Sequence, residues 1–302
     1  MRTTRLVFAA LAAVVLLAAS ATAASAAPLP THYRHYVALG DSYTAGPLIP
    51  LPRLDPLGCV RSTSNYPAIL AATLHTGGYT DVSCSGADTS DMTQAQSVPL
   101  GVNPPQLTAL RPDTDLVTLG IGGNDSGVFG TLVGTCPTLR ASDPTGNPCQ
   151  QHFTSNGVDT IKAALATTQR SVQTVLAGIH ARSPQAKVLA IGYPRIAPES
   201  GYCPDILPFA DGDYAWLSSV EEALNSAIAN AVAADGDASY VDTFGPSAGH
   251  DACAGGAAWI NGKDTLLLAA AAYHPLARGM VGMAGVVSVS SALAPPGRRD
   301  RL

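Results

Sequence analysis

Short apolar runs at residues 35–40, 80–84, 115–119, 186–191 and 238–242 alternate along the chain with longer stretches of helical period. Each run is partly β-branched and ends at turn-forming residues, the pattern of a buried strand. One intervening stretch carries Ile161, Leu165, Thr168, Val172, Val175, Leu176 and Ile179; another carries Leu217, Val220, Leu224, Ala227, Ile228 and Ala231. That spacing puts each set on one face of a helix. Asn65-Tyr66-Pro67 reads as a helix start, with the helix running to Leu74 and closed by Gly77-Gly78. Apolar strands separated by helices form βαβ units, whose parallel sheet is covered on both faces. The pattern therefore predicts an α/β fold, a flavodoxin-like three-layer α/β/α sandwich around a five-stranded parallel sheet. Residues 47–58 and 135–150 are rich in Pro, Gly, Asn and Asp and read as loops. Cys136 and Cys149 bracket the second, which suggests a stapled surface loop.

The chain ends change this picture. Arg2 and Arg5 precede an apolar run of 14 residues, 6–19, and small residues follow to Ala27. This is the form of a secretory signal peptide, too short and too weakly flanked for a membrane anchor. Residues 1–26 are read as the leader, cleaved after Ala26 or Ala27, and residues 27–302 as one exported, extracellular domain with no integral span. The tail from residue 294 reads as frayed. Net charge is −5, and loss of the two leader arginines takes it to about −7. Lysine occurs only at positions 162, 187 and 263, and no basic cluster precedes Arg298-Arg299, which argues against a nucleic-acid partner. Cys59, Cys84, Cys136, Cys149, Cys203 and Cys253 form an even set behind a leader and read as disulfides, although spacing alone does not choose the pairing. No C-x-x-C spacing supports a metal.

In a parallel sheet the reactive residues gather beyond the carboxyl ends of the strands. That rule selects Gly40-Asp41-Ser42 after the first run, Ser85-Gly86-Ala87 after the second, Gly122-Gly123-Asn124-Asp125 after the third, and the late His274-Pro275. A serine hydroxyl needs an imidazole to take its proton, and the oxyanion then needs fixed N–H donors. Ser42, His274, Gly86 and Asn124 supply these parts. Asp41 reads as structural and Asp125 as a local turn contact. Of the other histidines only His250 rivals His274, with a structural place beside a disulfide loop as its alternative. Tyr43, Tyr66, Tyr202, Phe209, Tyr214, Trp216 and Trp259 are candidates for an acyl pocket or simply for core. The nucleophile segment is not the G-x-S-x-G elbow, since Thr44 stands in place of the second glycine.

These four blocks, in this order, resemble the SGNH (GDSL-type) hydrolase superfamily, and most closely its secreted actinomycete-type lipases and esterases. The resemblance spans about residues 35–284. It implies Ser42 as nucleophile, His274 as general base and then acid, and an oxyanion hole from the N–H groups of Ser42 and Gly86 with the Asn124 amide. It also implies the pairings Cys59–Cys84, Cys136–Cys149 and Cys203–Cys253. No metal and no cofactor is expected, and a monomer is. The departure is Ala271, where many members carry an aspartate three residues before the histidine. The expectation here is a dyad whose imidazole is oriented by the Ala271 backbone carbonyl, with Asp251 and Asp264 as the carboxylates that would displace it. The expected activity is hydrolysis of a lipid or short-chain carboxylic ester. A phospholipase, a polysaccharide acetyl esterase, a metal-dependent hydrolase and a non-catalytic binding domain are the alternatives.

Overall fold

A computed structural model describes residues 33–293; the leader and the tail from residue 294 lie outside the described residues. Nine strands occur among them: β1 (Tyr36–Gly40), β2 (Tyr79–Asp81), β3 (Gln96–Val98), β4 (Gly101–Asn103), β5 (Leu116–Gly120), β6 (Thr154–Ser155), β7 (Val158–Asp159), β8 (Lys187–Ile191) and β9 (Ser239–Val241). Five form one parallel sheet in the order β2-β1-β5-β8-β9, and β3-β4 and β6-β7 are small antiparallel hairpins. The helices are α1 (Ser42–Ala45), α2 (Tyr66–Thr73), α3 (Val128–Leu139), α4 (Pro148–His152), α5 (Thr160–Arg182), α6 (Asp213–Asp235) and α7 (Ala277–Leu293).

The sheet order is that of the flavodoxin-like fold, with its direction reversing beside β1. Successive strand residues point to opposite faces, and each face builds its own core. Val37, Leu39, Val117, Leu119, Val188 and Ala190 join the buried stripes of α5 and α6. Tyr36, Ala38, Leu116, Leu189 and Ile191 join Tyr66 and Leu70 of α2 and Met280, Met283 and Val287 of α7. This is the expected three-layer sandwich. All seven apolar-stripe residues of α5 are buried, from Ile161 to Ile179. On α6 the stripe is buried as read except Leu224, which is partly open. Asn65 caps α2 by accepting the Ala68 N–H at 3.1 Å.

Residues 135–150 are not one continuous loop; only 143–147 are irregular. Thr135–Leu139 complete α3 despite Pro137, and Cys149 lies in α4, so the Cys136–Cys149 bridge joins two helices. The physical reason is an apolar stripe that local composition hides. Val128, Phe129, Leu132, Val133, Cys136 and Leu139 share one side of α3 and pack on the core. The bridges Cys59–Cys84 and Cys203–Cys253 complete the pairing implied by the resemblance.

Helix α7 carries glycines with different packing. A Cβ on Gly282 would lie 2.3 Å from the Trp259 ring, whereas one on Gly285 would meet nothing within 4 Å. Gly285→Ala should therefore raise stability by roughly 0.5–1 kcal/mol by reducing unfolded-state freedom, and Gly282→Ala should lower it by about 1–3 kcal/mol through overpacking. Urea unfolding midpoints of the two variants check both signs.

Candidate active site

Pairing of β1 with β5 sets Gly40 opposite Gly120, so both strands end side by side at the point where the sheet reverses. The backbone there is crowded. A Cβ at Gly40 would stand 2.2 Å from Thr44 Oγ1 and 2.5 Å from the Gly120 carbonyl. Only glycine fits, which explains the first residue of the Gly40-Asp41-Ser42 block. Buried Gln106 holds the same residue from the side, accepting the Gly40 N–H at 2.8 Å and donating to its carbonyl at 2.9 Å. Asp41 then caps α1 by accepting the Tyr43 N–H at 2.8 Å, and Ser42 opens that helix.

His274 arrives from the segment after β9. Its Nε2 lies 2.8 Å from Ser42 Oγ, and its Nδ1 lies 2.7 Å from the Ala272 carbonyl oxygen. The orienting carbonyl is therefore that of Ala272, not Ala271. Ala271 is unsuited because its carbonyl already accepts the His274 N–H at 3.3 Å and the Asn261 side-chain amide at 3.0 Å. Tyr273, at a φ of 60°, makes the tight turn that brings the ring back to the carbonyl two residues earlier. Both alternative acids are engaged elsewhere. Asp264 is exposed beside Lys263, and Asp251 accepts the Cys253 N–H at 2.9 Å. His250 binds the Ala257 carbonyl through Nδ1 at 2.7 Å and stacks on Trp259. Burial pushes the His274 pKa below its ordinary value, partly opposed by the Ala272 carbonyl.

The turn after β5 carries Asn124, whose side chain caps no helix. Its Nδ2 donates to the Ala87 carbonyl at 2.9 Å, which leaves the second amide hydrogen for another acceptor. Gly86 precedes Ala87, is exposed and sits at a φ of 78°. The N–H groups beside it are engaged, that of Ser85 by Cys59 and that of Ala87 by Cys84. Asp125 proves to be no local turn contact. It accepts the Thr89 N–H at 2.9 Å and the Thr89 hydroxyl at 3.0 Å, tying the Asn124 turn to the Gly86 segment.

Ser42 and Asn124 open onto a cleft enclosing about 800 Å³, part of it open to solvent. Its walls are apolar, from Val128, Phe129, Leu132 and Val133 of α3 to Leu217, Val220 and Leu224 of α6. Of the aromatic residues proposed for such a pocket, Tyr43 and Phe209 line it. Tyr66 belongs to the opposite core, Tyr202 is exposed, Trp259 covers His250, and Tyr214 and Trp216 are core. Reading the sequence missed the α3 wall, Tyr193 and Glu221. The α3 stripe was visible in the spacing of its apolar residues; nothing local marks the other two. Glu221 faces the cleft and accepts the Ile196 and Ala197 N–H groups at 3.2 Å. Burial raises its carboxyl to about 8 against the lowering effect of those N–H groups.

Comparison with known proteins agrees with this arrangement. Residues 38–280 match the profile of the GDSL-like Lipase/Acylhydrolase family. The chain belongs to that family. This GDSL-like hydrolase is 43% identical over 266 residues to Lipase 2 of Streptomyces coelicolor, covering 85% of this chain and 86% of that one. It is 33% identical over 277 residues to an esterase of Streptomyces scabiei, covering 81% and 78% of the two chains. Among solved structures, phospholipase A1 from Streptomyces albidoflavus NA297 superposes with a TM-score of 0.69 at 29% identity, covering 86% of this chain and 99% of that one. As a member of the family this chain is a carboxylic ester hydrolase of the lipase/esterase kind.

The expected general base, His274, must be neutral to accept a proton, so activity should fall as pH drops through its pKa. Because burial lowers that pKa, the acid limb of kcat/KM for a soluble ester should have its midpoint below the ordinary imidazole value of about 6.5. A midpoint above 7 in a pH-rate profile would contradict this assignment.

Proposed function

We propose that this family member is an exported, monomeric enzyme that hydrolyses lipid esters through a Ser42–His274 dyad, the apolar cleft receiving the acyl chain. The observation that carries the proposal is the 2.8 Å contact of Ser42 Oγ with His274 Nε2 at the mouth of that cleft. His274 takes the hydroxyl proton as Ser42 Oγ attacks the ester carbonyl. Negative charge develops on the carbonyl oxygen, toward the N–H groups of Ser42 and Gly86 and the free amide hydrogen of Asn124. Collapse expels the alcohol, which takes the proton back from His274 and leaves an acyl group on Ser42. Water, deprotonated by the same imidazole, then releases the acid. The Ala272 carbonyl holds the tautomer in which Nδ1 carries the hydrogen and Nε2 is free to accept.

Two supports favour lipid over small acyl esters. The cleft is almost wholly apolar, and two of the similar proteins above bear the names lipase and phospholipase A1. Export is supported by the leader-like residues 1–26 and by three disulfides that use every cysteine. Among the described residues no helix is long and apolar enough to cross a membrane.

A series of p-nitrophenyl esters from acetate to palmitate tests the reading. Turnover should favour acyl chains of medium or greater length, and an optimum at acetate would count against the lipid assignment. On the preferred ester, Ser42→Ala should lower kcat by at least about 10⁴-fold and Asn124→Ala by about 10²–10³-fold, both folded by circular dichroism.

A further inference from the structure

Tyr193 takes no part in the chemistry above, yet it touches the neighbours of the residues that do. It follows β8 and its side chain is buried. Its hydroxyl donates to Asp41 Oδ2 and accepts the Gly123 N–H at 2.9 Å. Asp41 immediately precedes Ser42, and Gly123 immediately precedes Asn124. One phenolic oxygen thus bridges the turn that carries the nucleophile and the turn that carries the amide. The ring meets that of Tyr43 edge-on at 5.2 Å, and the Tyr43 hydroxyl donates at 2.6 Å to the carbonyl of Tyr273, which immediately precedes His274.

The bridge is built tightly at both ends. A Cβ at Gly123 would lie 3.2 Å from the Tyr193 ring, so glycine admits the phenol against the backbone. Asn225 on α6 holds Tyr193 in place, accepting its N–H at 2.8 Å and donating to its carbonyl at 3.1 Å. Asp41 is itself buried, and burial lifts its carboxyl to about 7 against the lowering effect of the Tyr193 hydroxyl and the Tyr43 N–H. Without the phenol, one carboxyl oxygen and the Gly123 N–H lose their partner in a buried place, which costs enough to move a turn.

We propose that Tyr193 is a positioning residue whose hydroxyl sets the distance between Ser42 Oγ and the Asn124 amide by bridging Asp41 and Gly123. The proposal rests on the reading of Ser42 and Asn124 given above. Displacing a catalytic group by about 1 Å can cost around 10²-fold in rate. The effect should appear in kcat rather than KM, because the amide is needed most when charge develops on the substrate oxygen.

The test is a double-mutant cycle on the full-length protein with Tyr193→Phe, Asn124→Ala and both together, assayed on a soluble p-nitrophenyl ester. Tyr193→Phe should lower kcat about 30–100-fold with KM changed less than about threefold. In the Asn124→Ala background the same substitution should cost less than about threefold, because the group it positions is gone. Wild-type kcat in folded Tyr193→Phe overturns the proposal, as do losses that simply multiply in the double variant, the result of a merely structural role. If Asn124→Ala alone is silent, the oxyanion reading beneath the proposal fails, and the proposal with it. Should Tyr193→Phe not fold, Asp41→Ser, which can still cap α1 but lacks the second oxygen that meets the phenol, breaks the bridge from its other end and enters the same cycle with the same expected non-additivity.

Discussion

The hydrogen-bonded pairing of β1 with β5 is the constraint on which the rest of the site depends. It stops both strands at the same level, Gly40 beside Gly120, and passes directly into the turn through the Asp41 N–H, which donates to the Gly120 carbonyl at 2.9 Å. Two turns that are 82 residues apart in the chain, those of Ser42 and Asn124, thereby leave the sheet side by side. The ties that follow are refinements of this placement. Gln106 clamps Gly40, the Cys59–Cys84 bridge holds the Gly86 segment, and Asp125 and Asn124 bind it to the β5 turn.

The proposed dyad, which has no carboxylate, has consequences for the base. In a triad the buried carboxylate stabilises the imidazolium and raises its pKa; a peptide carbonyl carries only a dipole and does so less. Burial of His274 therefore prevails, and the imidazole is neutral over a wider range of pH. The cost falls on the step in which the imidazolium forms, which puts more of the burden on the oxyanion donors. That the loops bearing these donors are tied to one another at so many points is consistent with such a division of labour.

Much of the fold was legible because burial imposes periodicity. The five sheet strands lie within three residues of the runs that announced them, and the stripe of α5 is buried as its spacing required. What escaped were elements whose composition speaks against them. Helix α3 contains Pro137 and two glycines, and α7 carries Gly279 and Gly282 where Trp259 packs against it; tertiary packing overrides propensity in both. In the site, Ser42 and His274 were brought together as expected, while the orienting carbonyl shifted from Ala271 to Ala272. A turn with a left-handed Tyr273 decides that shift, and no local signal marks a left-handed tyrosine. The cleft was half-read, since the Leu217, Val220 and Leu224 stripe looks the same whether it packs against a helix or faces a substrate. Tyr193 and Glu221 act through contacts far apart in the chain and leave no pattern.

The central claim is that Ser42, activated by His274, is the group that becomes acylated. Active-site titration with a long-chain p-nitrophenyl phosphonate tests it most directly, followed by mass spectrometry of the labelled peptide. The account predicts one equivalent of p-nitrophenol released per chain, the phosphonyl group on Ser42, and labelling slowed by orders of magnitude in His274→Ala. A folded protein that resists the reagent, or that carries the label on another residue, would contradict it.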